Sequence, residues 1–347
     1  MWAGLEQTQR MELSRDGTAG SPPRPLWPAI RGGPSAAAGA ALLVLAMVGC
    51  ASSAPPHTTA GSANTPPVGS VMPSATASAS ATASASATGS AARAGGVPQP
   101  AHIVVVVLEN HGYSQIIGSP DAPFLNQLAG RGALFTHSYA ITHPSEPNYL
   151  ALFSGSTHGV TGDPCPITFS APNLASGLLA AGKTFAGYAE DLPTPGSPAC
   201  DAGQYARQLA PWAAFRNVPA AAGQPFASFP AADLSRLPTV SFVIPGLCYD
   251  MHNCSVATGD AWLRTHLGSY ANWAITHDSL LIVTWDEDDF TTVNHIATIF
   301  VGQQVRPGRY AQRITHYSVL ATIEAAYGLA RDGNAAATAP IDYIWRS

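Results

Sequence analysis

The sequence predicts an α/β fold three layers deep, in which a mostly parallel sheet lies between helices. Three observations lead there. The β-branched and apolar runs at 103–108, 239–244 and 280–284 are continuous rather than alternating, the pattern of strands covered on both faces. Helix-compatible stretches stand between them, at 123–131, 175–181 and 260–277. Carboxylates and amides follow directly on strand ends, where open α/β sheets bind their ligands.

Ahead of these elements the chain has a different character. Residues 1–35 carry Arg10, Arg15, Arg24 and Arg31 but no lysine, and 36–48 form a small-residue, apolar stretch too short to span a bilayer permanently. Together 1–50 read as a signal peptide. It ends in Met47-Val48-Gly49-Cys50-Ala51, which resembles a bacterial lipobox, with methionine where leucine is usual. Lipidation of Cys50 would make the protein a cell-surface lipoprotein held to the membrane by its N-terminal lipid; secretion after cleavage nearby is the alternative. Residues 51–100 are nearly all Ala, Ser, Thr, Pro and Gly, and lack the apolar bulk to offset chain entropy. They read as a disordered linker, which leaves 101–347 as the folded domain.

Composition narrows the partners. A net charge of -5, with only 11% charged residues, argues against a nucleic-acid partner. Of five cysteines, Cys50 belongs to the export signal and Cys165, Cys200, Cys248 and Cys254 to the domain. An even number in an exported chain predicts two disulfides. Proximity in sequence favours Cys165 with Cys200 and Cys248 with Cys254, among three possible pairings; the spacing lacks the C-x-x-C pairs of a zinc site.

Within the domain, the strand 103–108 delivers Glu109-Asn110-His111. A helix over 123–131 and a short strand over 133–135 lead to Thr142-His143-Pro144-Ser145-Glu146-Pro147-Asn148-Tyr149. Pro147 suits the first turn of a helix, so Ser145 is expected at its N-terminus, where free N–H groups and the dipole favour an alkoxide and a phosphate dianion. Asn148 would hold a phosphoryl oxygen. After a strand at 239–244, the loop closing on Cys254 presents Asp250 and His252. The strand 280–284 delivers Trp285-Asp286-Glu287-Asp288-Asp289, a like-charged run that repels itself unless a cation is bound. His295 precedes a strand at 296–301 and points to the same edge; His316 precedes a helix at 318–327 and is a weaker candidate.

The inventory is that of metal-assisted phosphoryl transfer: Glu109, Asn110, Asp286 and Glu287 as hard oxygen ligands to a divalent ion, Ser145 as nucleophile, and Asp250, His252 and His295 as further ligands or proton donors. No Gly-x-Ser-x-Gly elbow surrounds Ser145, which disfavours an acyl-transfer triad.

At Val107-Leu108-Glu109-Asn110, His143 to Leu152, Asp250-Met251-His252, Trp285 to Asp289 and Thr315 to Leu320 the chain resembles the bacterial phosphoesterases, the family of secreted acid phosphatases and non-haemolytic phospholipases C. The resemblance implies an alkaline-phosphatase-like sandwich and an acid phosphatase that splits phosphate monoesters through a phosphoserine. It implies metal ligation by Glu109, Asn110, Ser145, Asp286 and Glu287, with His252 and His295 as second-site or acid groups and His143, Asp250 and His316 beside them. Substrates would be small phosphomonoesters or a phosphoinositide headgroup, phosphatidylinositol 3-phosphate included. A phospholipase C type phosphodiesterase and a non-catalytic, cation-binding surface protein are the alternatives. Tyr249 and Phe290 depart from the family's pattern, placing aromatic bulk near the expected pocket.

Overall fold

The computed structural model describes residues 96–347. The expected signal peptide, Cys50 and most of the expected linker lie outside the described residues.

Strand β1 (His102–Leu108) is followed by α1 (Tyr113–Ile116), α2 (Pro123–Arg131) and β2 (Ala133–Tyr139). Next come α3 (Ser145–Ser154), α4 (Leu174–Ala180) and β3 (Phe185–Ala189). A stretch of short pieces carries β4 (Asp201–Ala202), β5 (Tyr205–Ala206) and β6 (Gly223–Pro225) among single 3-10 turns. The chain resumes regular form with β7 (Val240–Ile244), α5 (Val256–Ala274), β8 (Ser279–Trp285) and β9 (His295–Gly302). It closes with β10 (Gly308–Tyr310), β11 (Ile314–Thr315) and α6 (His316–Tyr327).

The main sheet runs β10-β2-β9-β8-β1-β7-β3-β6, with β11 also beside β2. Every pairing in it is parallel except those of β9, which runs antiparallel to both β8 and β2. The three buried runs read from the sequence are β1, β7 and β8, adjacent at its centre. The antiparallel β9 follows from its connection: residues 286–294 hold no helix, and a parallel return would need a crossover of a dozen residues or more.

Alternation along β1 builds the layers. Ile103, Val105 and Val107 join one apolar core with Leu150 and Phe153 of α3, Leu178 of α4 and Leu320 of α6. Val104, Val106 and Leu108 join the other, with Leu125 of α2 and Leu263 and Leu267 of α5. A sheet buried on both faces between two helical layers is the architecture the apolar runs predict.

Local chemistry places the element ends. Helix α5 begins ahead of the expected residue 260 because Ser255 caps it, accepting from Thr258 N–H at 3.3 Å. Asp260 then lies inside α5, 3% exposed, and accepts from the N–H groups of Phe124 and Leu125, supplying the cap that Ala122 cannot give α2. Gly155, at φ 71, ends α3 in the left-handed conformation that favours glycine. The disulfides are Cys165–Cys200 and Cys248–Cys254, the pairing that proximity favours.

Candidate active site

Three adjacent strands, β8, β1 and β7, end at one edge of the sheet, and the residues that follow them are tied together. Asp286 N–H donates to the Leu108 carbonyl at 2.9 Å, and Glu109 N–H to the Asp250 carbonyl at 2.8 Å. Glu109, Asp250, Asp286 and Glu287 are thereby gathered with almost no exposure, at most 1%. Asn110 joins them through a left-handed backbone, φ 55, which lets its N–H donate to Asp286 Oδ1 at 3.1 Å.

Ser145 is the first residue of α3, 8% exposed, and Pro147 falls in the first turn where its missing N–H costs nothing. Its hydroxyl donates to Glu109 Oε2 at 3.1 Å and reaches Glu287 Oε1 at 3.3 Å. Glu109 Oε2 also accepts from Asn110 Nδ2 at 2.9 Å, and Oε1 accepts from the Tyr149 hydroxyl. Tyr149 was not among the residues expected here. Four places after Ser145 on one helix, it shares that residue's face, a spacing that could have announced it.

Burial is the largest influence on the electrostatics. It pushes the Glu109 and Asp286 carboxyls up, Asp286 well above the usual range because Glu109 and Glu287 add their repulsion to its burial. Asp250 is driven up to about 9 by burial and by Glu109. Glu287 rises only to about 7, because His143 Nδ1 bonds its Oε2 at 2.7 Å. Asn110 Oδ1, Asp250 Oδ2 and Asp286 Oδ2 are buried with no hydrogen-bond partner. Two buried acids and a buried amide with unpartnered oxygens, close to the Glu109 and Glu287 carboxyls that flank one hydroxyl, form an arrangement that is unfavourable alone and favourable around a cation.

The acidic run divides. Asp286 and Glu287 face inward. Asp288 instead stitches its own loop, accepting from Thr291 and from His295 N–H at 3.1 Å. Asp289 is exposed and lines an open cleft of about 330 Å³ beside Ser145, with Asn110, Asp163, His252 and Phe290. No sequence signal marked Asp163; it comes from an irregular loop and accepts from Glu146 N–H at 2.9 Å.

Three expectations need correction. Asn148 is fully buried, and its amide is spent on the turn before Ser145: Oδ1 accepts from Ile141 and Thr142 N–H, both at 3.0 Å, and Nδ2 donates to the carbonyls of Thr142 and Pro144. It shapes the loop and has no free group for a phosphoryl oxygen. His295 donates Nε2 to the Thr136 carbonyl at 3.0 Å and stacks on Tyr113 and Tyr139, outside the cleft lining, because antiparallel β9 pairs it against β2. His316 is buried and donates to the Trp285 carbonyl at 2.9 Å, and burial lowers it to about 4, so it stays neutral and pins the end of β8. His252 stands exposed on the cleft wall, its main chain held by Asp250 Oδ1 at 2.8 Å. Phe290 lines the cleft, as expected of aromatic bulk there; Tyr249 does not.

A larger cavity, about 420 Å³, is walled by Arg207, Trp212, Phe215 and Arg216 and contains none of these residues. Volume alone does not make it the reactive site; the buried acids and the hydroxyl do.

A serine at a helix N-terminus, set among carboxylates at the ends of parallel strands, defines a class of enzyme that cleaves phosphate esters. The chain belongs to the phosphoesterase family, whose pattern matches residues 119–330. It is 54% identical over 251 residues to the phosphatidylinositol-3-phosphatase of Mycobacterium tuberculosis, an alignment covering 72% of this chain and 84% of that one. It is 29% identical over 249 residues to an acid phosphatase of Aspergillus fumigatus, covering 65% of this chain and just over half, 54%, of the fungal protein. Among solved structures it shows a coarse likeness to an alkaline phosphatase superfamily protein of Vibrio parahaemolyticus, with TM-score 0.49, 15% identity, and 67% and 68% of the two chains covered. A phosphonate monoester hydrolase of Silicibacter pomeroyi gives TM-score 0.47 and 14% identity over 70% of this chain and 78% of that one.

Proposed function

We propose that the protein is an exported, metal-dependent phosphatase that splits phosphate monoesters by transfer to Ser145. One observation carries this reading: the Ser145 hydroxyl lies between Glu109 and Glu287 at a helix N-terminus, in a cleft whose lining holds no lysine or arginine. A phosphate dianion needs positive charge, and this cleft has only a helix end and His252 to offer.

The donor set fits a divalent cation. Asp286 Oδ2 and Asn110 Oδ1 are orphaned in the interior beside Glu109, Glu287 and the Ser145 hydroxyl, all hard oxygens. Among the described residues no three His, Cys, Asp or Glu side chains are placed to hold a metal ion by themselves, and the set proposed here includes the neutral oxygens of Ser145 and Asn110. Bound by these groups, the cation would relieve the repulsion among the acids and supply the charge that the phosphoryl oxygens require.

The chain's own groups do the rest. Ser145 Oγ passes its proton toward Glu109 Oε2 and forms a bond to phosphorus while the ester oxygen leaves on the opposite side. His252, on the open wall, donates a proton to that leaving oxygen. Water then attacks the phosphoserine and frees phosphate, and Ser145 recovers its proton. Glu287, held by His143, keeps the hydroxyl aimed. The phosphatidylinositol-3-phosphatase relative supports a phosphoinositide headgroup as one substrate. Export, with either a lipid on Cys50 or release, is supported by the N-terminal 50 residues and by the two disulfides, which belong to an oxidising compartment.

The test is turnover of a phosphomonoester against a phosphodiester, before and after dialysis with a chelator. Monoester hydrolysis lost on chelation and regained with one divalent metal is the expected result. Faster release from the diester would replace this reading with the phospholipase C type, and turnover indifferent to chelation would remove the metal from it.

A further inference from the structure

Phe290 is the anomalous residue of the cleft. It is 65% exposed, yet its backbone sits at φ 65, a conformation that glycine adopts freely and a bulky side chain rarely does. Exposure deprives the ring of any burial that would offset such strain within the folded chain. Its place is defined all the same. One face stacks on the His143 imidazole, 4.8 Å between centroids and 17° between planes, and the rest of the ring is left to the cleft that holds Ser145.

Two exposed carboxylates share that cleft. Asp163 uses Oδ1 on Glu146 N–H, and Asp289 uses Oδ2 on Gln115, so among the described residues each keeps an oxygen free of hydrogen bonds. Neither belongs to the buried cluster around Ser145. An aromatic face beside two hydrogen-bond acceptors is suited to a saturated ring that is apolar across its C–H face and bears hydroxyl donors at its edge. The same charges, with no lysine or arginine in the cleft lining, repel a ring that carries a second phosphate.

We propose that Phe290, Asp163 and Asp289 form the leaving-group subsite and select the monophosphate of a cyclic polyol over acyclic esters and over ring bisphosphates. The proposal rests on the reading of Ser145 as the nucleophile of monoester hydrolysis. Phe290 supplies the wall against which the ring of the departing alcohol lies, and the two carboxylates hold its hydroxyls so that the ester oxygen faces the cleft wall carrying His252.

The experiment compares the full chain with Phe290→Gly and with Asp163→Asn/Asp289→Asn on three soluble esters, inositol 3-phosphate, an inositol bisphosphate and methyl phosphate, and on phosphatidylinositol 3-phosphate in vesicles. Glycine suits φ 65, so Phe290→Gly should keep its melting temperature or raise it. Its ratio of kcat/KM for inositol 3-phosphate over methyl phosphate should fall roughly three- to tenfold, mostly through KM. The double Asn variant should gain severalfold in its preference for bisphosphate over monophosphate, an effect that shrinks in high salt. An unchanged ratio in Phe290→Gly would overturn the subsite. So would a loss confined to lipid phosphate in vesicles, which would make the loop a membrane contact instead. Hydrolysis of none of the esters by the unaltered chain would overturn the reading of Ser145 itself, and the subsite with it.

Discussion

Replacing Asn148 by alanine should unfold the protein early as well as slow it. Four hydrogen bonds from one fully buried amide hold residues 141–144, two accepted from N–H groups and two donated to carbonyls. Alanine leaves all four main-chain groups without that partner, in a place where water has little access. At about 1 kcal/mol net per bond, with more for any group left buried and unpaired, the loss is about 3–5 kcal/mol. In a domain of this size that is on the order of 10 °C in melting temperature. The turn leads straight into Ser145, and a displacement of about 1 Å at a reacting group costs roughly a hundredfold in rate. Asn148→Asp keeps both acceptors but sets a carboxylate oxygen against the carbonyls of Thr142 and Pro144 and near Glu287 Oε2, so it should not rescue. Thermal melts followed by circular dichroism, beside monoester turnover, decide the matter. An Asn148→Ala protein that melts like the parent and has lost only activity would refute the structural role and restore the side chain as a substrate ligand.

Tyr149→Phe removes a hydrogen bond that lowers the Glu109 carboxyl against the rise from burial. Glu109 should therefore titrate higher, and the acid limb of the pH–rate profile should move to higher pH; a limb that stays put would contradict a need for ionised Glu109. A second pH effect lies away from the site. Glu324, fully buried at one oxygen without a partner, is raised from 4.5 to about 8 by burial. Its folded form holds a proton that the unfolded form has released, so its contribution is complete below pH 4.5 and is lost as pH rises through about 8. Glu324→Gln should thus gain stability relative to the parent, by a few kcal/mol, between pH 5 and pH 8.5 in urea melts. Equal differences at both pH values would show that Glu324 does not titrate as described.

Much of the sheet was legible because buried parallel strands write themselves as unbroken apolar runs, and β1, β7 and β8 did so at its centre. The reversal of β9 was not, since its residues carry the same pattern whichever way the strand runs; only the absence of a helix in 286–294 hinted at it. That reversal carries His295 to the β2 side and away from the cleft. Glu109, Asn110, Ser145, Asp286 and Glu287 were readable as a group because each stands at a strand or helix end. The split of the acidic run was not, because it depends on Thr291 and Asn294 folding back onto Asp288. Asn148 misled for a related reason. An amide three residues past a serine looks free in sequence, and its partners in the preceding turn appear only when the loop is closed. Residues 201–236 offered no periodicity, and the short strand β6 within them pairs at the sheet edge through Gly223 to Pro225, where composition favours turns.

Covalent transfer to Ser145 is the step on which the proposed monoester hydrolysis depends. Mixing the protein with a phosphomonoester, quenching in acid within milliseconds and sequencing the peptides by mass spectrometry should find phosphate on Ser145 during turnover and none in Ser145→Ala. Turnover at the full rate with no phosphate on Ser145 at any quench time, or an active Ser145→Ala protein, would contradict it.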